Sequence, residues 1–575
     1  MTASRMPERL GSMVRDLWLA GSTGARLLHD DAAHAAVQVA RRVGVTHLPH
    51  HGNAAWQALM AHISDRPDAV RTQLEGWWGP SPIPGTRMRR AWDALAVSVA
   101  VNRGLVELIP TDLLTNRDRA RLRLQVGDFG GALAELDPAS PLAQRIRSER
   151  DAMTPGVRLP QRPPLHVRAA GRRVLFVLTN SLPHTQSGYT RRSQAVMQAV
   201  QQAGWEVQAA TRLGYPTTIG RLGGPHLEQV GTVPVHRLLP WHQPASLMQR
   251  LTLQADLLTD LVGEFRPRVL HTTTDHTNGV AVREVAERTG LPWVYEMRGQ
   301  LEYTWLASRP DWARHEAETS ERLRLQRDRE TELAMSADAV VVLSEVQRAD
   351  LLKRGVPEDH ITVVPNAVDE SLFNRDATPT QARAQLGLPR EGEWVGSVSS
   401  VVGYEGFDVL LRAVHLLRAG GRDVRCAIVG HGVALPSLQS LAHDLGLDGV
   451  CQFPGRQDRA RALTWVEALD VVAVPRLDTP VCRMVTPLKP VEAWALARPV
   501  VGSDLPALAE VVSPAGGSLA RAGDPLSLAE HLSAVLDDSD ALQRARLLGR
   551  SWAAERTWRR AASRYDRVYA TLGAD

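Results

Sequence analysis

Arg172–Asn180 reads RRVLFVLTN, and Ser187–Gly204, shortly after it, reads SGYTRRSQAVMQAVQQAG. The apolar run Val174–Leu178 is too short for a buried helix and is bounded by polar residues, so it reads as a strand covered on both faces. The second stretch spaces Val196, Met197 and Val200 at helical intervals. This strand–loop–helix unit decides the fold class because it recurs. WEVQAATR (205–212), RVLHTTT (268–274), PWVYEM (292–297) and ADAVVVLS (337–344) repeat the strand signature, with helical stretches between most of them. The alternation pauses at ITVVPNAVD (361–369) and resumes with EWVGSVSS (393–400), DVRCAIVG, GVCQFPG, LDVVAVP and RPVVGSD. Apolar strands alternating with helices imply parallel sheets sandwiched by helices. The expected architecture is α/β, with two Rossmann-like doubly wound domains facing across a cleft, where open α/β sheets bind ligands beyond their strand ends.

Working outward, residues 1–153 read as a helical N-terminal region, with AHAAVQVARRV, NAAWQALMAHI and RRAWDALAVSVAV carrying helical apolar spacing. QVGDFGGALAELD (125–137) resembles one unit of a helical repeat, without the further copies a solenoid requires. Residues 154–170, TPGVRLPQRPPLHVRAA, form a proline-rich linker. The two α/β domains are expected over 171–366 and 367–555, followed by a C-terminal helix, 556–575, that returns to the first of them.

A net charge of +4 over 575 residues, without a dense basic run, argues against nucleic-acid binding. The three cysteines, Cys426, Cys451 and Cys482, have no metal-site spacing and fit a reducing compartment. The N-terminus lacks the pattern of a signal peptide and no run is long enough to span a bilayer, so a cytoplasmic location is expected. Met13–Leu19 is a candidate interfacial helix, which would add peripheral contact with the inner face of the plasma membrane.

Lysine is nearly absent: Lys353 and Lys489 stand against 65 arginines. Lys489 lies in VTPLKPVEAWA (485–495), after the strand of LDVVAVP and at an expected helix start. Free N–H groups and the helix dipole at such an end favour an anion, and Pro490 suits the first turn. Lys489 and Arg483 would add two cations for a diphosphate, and Glu492 could accept from a ribose diol. The plainer reading is a solvated loop with a helix cap. Gly396 and Gly188 are candidates for close backbone approach to a phosphate or base, although GYEGFD (403–408) also reads as a turn with a cap. YEMRGQLEY (295–303) places Glu296, Arg298 and Glu302 at the cleft edge, as ligand contacts or as an ordinary salt bridge. Arg191 and Arg192 read more as surface charge than as site residues. His271 and His276 have no third partner spaced for a metal and read as polar cleft or core residues.

With these motifs in view, residues 171–575 resemble a GT-B glycosyltransferase, closest to the large retaining family 4, the glycosyl transferases group 1. The resemblance rests on RMVTPLKPVEA (483–493) with ARPVVGSDLPALAEVV (497–512), on ADAVVVLSEVQRADLLKRGVPEDHITVVPN (337–366), and on YEMRG and GYEGFDVLLRA. YEMRG and GYEGFDVLLRA point to a branch that often builds bacterial surface polysaccharides. The resemblance implies transfer of a hexosyl or N-acetylhexosaminyl group from a nucleotide-sugar, UDP-linked in preference to GDP-linked, to a glycan or lipid-linked acceptor. It implies no cofactor and no metal. Arg483, Lys489 and Arg298 take catalytic roles, and Gly188, Gly396, Arg483, Lys489 and Glu492 bind the donor. Tyr189, Glu296 and Glu302 are expected acceptor or sugar contacts.

The chain departs from the family pattern in several places. Met484 replaces a glutamate eight residues before Glu492. Ser397 stands near an expected arginine, Glu405 replaces an expected lysine before Gly406, and Arg298 takes the place of a histidine. Met484 and the missing histidine keep alive a catalytically silent GT-B scaffold that uses the N-terminal helices to bind a protein partner. A nucleotide-sugar 2-epimerase is a lesser alternative of the same fold.

Overall fold

The computed structural model describes residues 13–24, 52–63, 67–78 and 87–572. AHAAVQVARRV (33–43) lies outside them. Two compact units interleave along the chain. Of the described residues, the first holds those up to Thr185, Gln208–Trp293 and Leu301–Ser336; the second holds Gln186–Val207, Val294–Gln300 and those from Ala337 onward.

Among the described residues, only helices and turns precede the first strand. Helices Ala54–Ile63 and Arg87–Arg103 bury Ala58, Leu59, Val97 and Val101 in one apolar cluster with Leu74. The helix Pro141–Met153, capped by Ser140, buries Ile146 and Met153 against Phe129 and Leu325. Glu321 accepts from the Gly130 N–H at 2.8 Å and pairs with Arg150 at 2.6 Å, and Arg322 pairs with Glu149 at 2.7 Å. The N-terminal helices are thereby packed onto the helix Glu321–Ser336 of their own unit. The proline-rich stretch that follows carries no helix or strand, and its Leu165 and Ala170 N–H groups donate to the Arg288 and Arg266 carbonyls. At residues 13–24 a helix buries Arg15, Asp16 and Leu19 and exposes Met13, Val14, Leu17 and Trp18.

The first sheet comprises β1 (Arg173–Leu178), β2 (Glu206–Thr211), β3 (Leu227–Val230), β4 (Val233–His236), β5 (Val269–Thr273), β6 (Trp293–Met297), β7 (Ala339–Val342) and β8 (Ile361–Val363), in the order β3-β4-β2-β1-β5-β6-β7-β8. Parallel pairs join β1 to β5 and β6 to β7, whereas β3 and β4 form an antiparallel hairpin at the edge. The second sheet, β9 (Glu393–Val398), β10 (Val424–Val429), β11 (Cys451–Gln452), β12 (Val471–Val474), β13 (Val500–Ser503) and β14 (Ser518–Ala520), is parallel throughout, in the order β11-β10-β9-β12-β13-β14.

Helix Phe407–Ala419 shows why this sheet is covered. Phe407, Leu410, Leu411, Val414 and Leu417 recur at helical spacing and are buried with Val424, Cys426 and Ile428 of β10. In the same second unit, the C-terminal helix Trp558–Thr571 packs on the helix Gly188–Gln202. It buries Tyr565 and Tyr569 completely, and Asp566 accepts from the Trp205 indole at 2.9 Å.

Candidate active site

The second unit gathers charged side chains at the C-terminal ends of its parallel strands, starting with Glu405. The loop after β9 delivers this residue in a short 3-10 turn that ends at Gly406 with φ +69. Glycine is required there by its left-handed conformation and by space, since a Cβ would stand 1.9 Å from the Pro475 carbonyl oxygen. That close approach brings the loop after β9 against the loop after β12. Glu405 is 4% exposed; its Oε1 accepts from Arg476 Nη2 at 3.0 Å, and its Oε2 from Lys489 Nζ at 2.5 Å and from Arg476 Nε at 3.5 Å. Burial by itself would push the Glu405 carboxyl up, but Lys489 and Arg476 outweigh it and hold the carboxyl at about 2. Arg476 also donates to the Val485 carbonyl at 2.8 Å, which ties the same loop to the VTPLKP segment. Two cations share one anion, so the cluster keeps a net positive charge. Burial lowers Lys489 below the ordinary lysine range; Glu405 opposes that shift, and nearby Arg476 adds to it.

The backbone around Lys489 departs from the expected anion cradle. The helix Lys489–Ala495 has seven residues, and the N–H groups of Val491 and Glu492 already bond the Leu488 carbonyl. Pro490 has no N–H, which leaves the Lys489 N–H in that turn. Positive charge here is carried by side chains rather than by a row of free amides. Glu492 sits one turn on and pairs with Arg459 at 2.6 Å. Arg191 belongs to the same neighbourhood: burial and the Arg459 charge pull its guanidinium down, against Glu492, which raises it. Arg483 does not join the Lys489 cluster. Its side chain is 54% exposed and grips Asp478 with two bonds of 2.5 and 2.6 Å.

The second gathering centres on Glu296 at the end of β6, which is fully buried. Its Oε1 accepts from Arg192 at 2.8 Å and from the Tyr565 hydroxyl at 2.8 Å, and its Oε2 accepts from Arg298 at 2.7 Å. Arg192 also donates to the carbonyls of Val364 and Pro365 and to Asn366 Oδ1, in the VVPNAVD segment. Asn366 in turn donates to the Thr486 carbonyl at 2.9 Å. Burial and the adjacent Glu296 charge raise the Tyr565 phenol well above its ordinary range, so it stays a donor. Arg298 donates to Ser193 Oγ at 2.5 Å and to the Tyr189 carbonyl at 3.3 Å, and lies over the Tyr189 ring at 5.1 Å. Its Nε is buried with no partner among the described residues. Glu296 therefore joins strand, helix Gly188–Gln202 and C-terminal helix within the second unit, and through Arg192 the VVPNAVD segment.

Gly188 opens the helix that carries Tyr189, is exposed, and has open space where a Cβ would point. Gly396 lies inside β9 rather than at its end, in register with Ala427 and Val472, and a Cβ there would stand 2.1 Å from the Ala427 carbonyl oxygen. Glu302 is fully buried in the helix Leu301–Ala307 of the first unit. His271 and His276 are buried in that unit too, His271 stacked on Phe176 at 4.5 Å. Reasoning from sequence missed Arg476 and Arg459 and set Arg191 aside as surface charge. Position was the available signal for Arg476, because it follows directly on the apolar strand of LDVVAVP, where side chains reach a ligand edge.

Comparison with known proteins accords with this geometry. Residues 187–367 match the family described as "Glycosyl transferase 4-like domain", and residues 393–538 match "Glycosyl transferases group 1". A D-inositol 3-phosphate glycosyltransferase of Xylanimonas cellulosilytica is 34% identical over 255 residues, covering 42% of this chain and 58% of that protein. The Mycolicibacterium smegmatis protein of the same name is 32% identical over 38% of this chain and 49% of its own length. This chain thus spans about half the length of the curated relatives it matches. Among solved structures, a sucrose-phosphate synthase from Thermosynechococcus elongatus aligns over 70% of this chain and all of its own, with a TM-score of 0.58 and 19% identity. Anabaena HepE in complex with UDP aligns over the same share of this chain and all of its own, with a TM-score of 0.51 and 18% identity, a likeness of fold. The two family matches run in tandem over the two halves of the α/β region, and the chain belongs to the glycosyl transferases group 1, family 4, of GT-B fold.

Proposed function

We propose that this protein transfers a sugar from a nucleotide-sugar, with retention, to a hydroxyl acceptor, and that its own cations do the work of a metal. The observation that carries this reading is the Glu405–Arg476–Lys489 cluster: two cations on one buried carboxylate, at the strand ends of the second sheet. A nucleoside diphosphate brings the negative charge that this cluster lacks. Lys489, with Arg476 behind it, holds the diphosphate and stabilises the charge that grows on the leaving nucleotide as the glycosidic bond breaks. Glu492 receives the ribose diol, which requires Arg459 to share or release it; Arg459 and Arg191 then turn to the phosphates. Arg298 and Tyr189 border the sugar. A UDP-sugar is the favoured donor, in keeping with the UDP-glucose bound by HepE.

For the acceptor, a glycan or glycolipid of a bacterial surface polysaccharide remains the first reading. The relatives named for D-inositol 3-phosphate favour a second, a phosphorylated cyclitol. The exposed stripe of Met13, Val14, Leu17 and Trp18 supports peripheral contact with a membrane, at which a lipid-linked acceptor would be met.

A donor panel of UDP- and GDP-sugars, read by mass spectrometry with and without inositol 3-phosphate, tests the reading. Transfer or slow hydrolysis of one donor is expected, lost in Lys489→Ala together with nucleotide affinity. If no donor is consumed and UDP gives no thermal stabilisation in either protein, the silent scaffold is the better description.

A further inference from the structure

The C-terminal helix and the turn that leads into it carry a second cationic feature that shares no residue with the clusters above. Trp552, Glu555, Arg556, Arg560, Ser563, Arg564 and Arg567 line a cavity of about 500 Å³. Arg560, Arg564 and Arg567 follow one another at intervals of four and three residues along one face of the helix Trp558–Thr571, and Arg556 stands in the turn just before it. Glu555 is the only acid in the lining.

Each arginine is held differently. Arg556 is half-buried with its guanidinium 4.1 Å from the centre of the Trp552 ring. Arg564 is half-buried and donates to the Val363 carbonyl at 2.8 Å. Arg560 is exposed and pairs with Glu555 at 2.9 Å, and Arg567 is exposed and makes no ion pair with any described residue. Arg559, the one neighbour directed elsewhere, pairs with Glu370 at 2.9 Å. Like charges one turn apart repel. Here that repulsion is concentrated around a polar cavity with a single acid to offset it. Guanidinium forks match phosphate oxygens two at a time, and Trp552 fixes one fork in place.

We propose that this pocket is a second anion site, which takes a phosphoryl group presented by a lipid headgroup or by a soluble phosphate ester. The half-buried Arg556 and Arg564 forks form its floor, and the exposed Arg560, Ser563 and Arg567 border its mouth.

The full-length chain and the variant Arg560→Glu/Arg567→Glu test it, both with saturating UDP present so that the donor site is not titrated. One arm measures inorganic pyrophosphate by calorimetry. The other measures cosedimentation with phosphatidylcholine vesicles, with and without phosphatidylglycerol. Binding in at least one arm is expected, weakened at least about ten-fold in the variant, which corresponds to 1.4 kcal/mol. Loss in the pyrophosphate arm assigns a soluble ester; loss confined to the phosphatidylglycerol vesicles assigns a headgroup. Arg560→Gln/Arg567→Gln replaces the charge reversal if that protein does not fold, with the same expectation. If the wild type binds neither probe, or a folded variant binds both as well as the wild type does, the pocket is not an anion site. UDP-induced stabilisation should be equal in wild type and variant, so failure here leaves the donor-site reading untouched.

Discussion

Replacing Glu405 with glutamine removes the only anion between Arg476 and Lys489 while keeping the side-chain shape. The carboxyl is held at about 2 against an ordinary 4.5, a difference of roughly 2.5 pH units. At 1.36 kcal/mol per unit, the native pairing contributes about 3 kcal/mol to stability near neutral pH. The group is almost fully buried, so solvent screening subtracts little. Its native pKa lies below its unfolded one. This contribution is therefore complete above pH 4.5 and disappears as pH falls toward 2. Glu405→Gln should lose about 3 kcal/mol at pH 7, in line with the general cost of leaving buried charges unpaired. In urea titrations followed by tryptophan fluorescence, the gap from wild type should close over the acid range. Lys489→Met leaves Glu405 with Arg476 and should cost less. The double variant should recover at least about 1 kcal/mol relative to the sum of the single costs. Additive costs, or a Glu405→Gln protein within about 0.5 kcal/mol of wild type, would refute the shared-anion account.

Three further outcomes follow from the same geometry. Lys489→Arg keeps the charge but sets a planar fork where a compact ammonium meets Glu405, so UDP affinity should fall at least about ten-fold in a thermal-shift titration; near-normal affinity removes the argument for lysine. Glu296→Gln strands Arg192 and Arg298 in the interior and should cost about 3–5 kcal/mol, with faster proteolysis of the C-terminal helix; an unchanged cleavage pattern would show that Glu296 does not hold that helix. Gly406→Ala meets both a left-handed φ and the Pro475 carbonyl, so it should cost at least about 1–3 kcal/mol and weaken UDP binding by displacing the Arg476 loop; wild-type stability and affinity together would contradict the close approach.

Much of the fold was legible because parallel strands buried on both faces leave short, nearly continuous apolar runs. RRVLFVLTN, ADAVVVLS and LDVVAVP are such runs, and each holds a strand. The β3–β4 hairpin and β14 escaped notice for the converse reason: LEQV and SLA are short, partly exposed edge strands, and VPVH beside LEQV is four residues long with Pro234 and His236 between and after its buried valines.

The sequence by itself determined the alternation of strand and helix, hence two doubly wound α/β halves, carried in its motifs the resemblance to GT-B enzymes, and marked Lys489 by its rarity. It could not say what Lys489 touches. Glu405 lies 84 residues away and read as a lost lysine, yet the fold turns the two into a pair. Arg192 looked like surface charge and Glu296 like a ligand contact, and tertiary packing buried both on one another across 104 residues of chain. Secondary structure is written in neighbouring residues, through periodicity and capping. Charge pairing depends on which strand ends the sheet order brings together, and whether a charge faces solvent, ligand or another charge is decided only there.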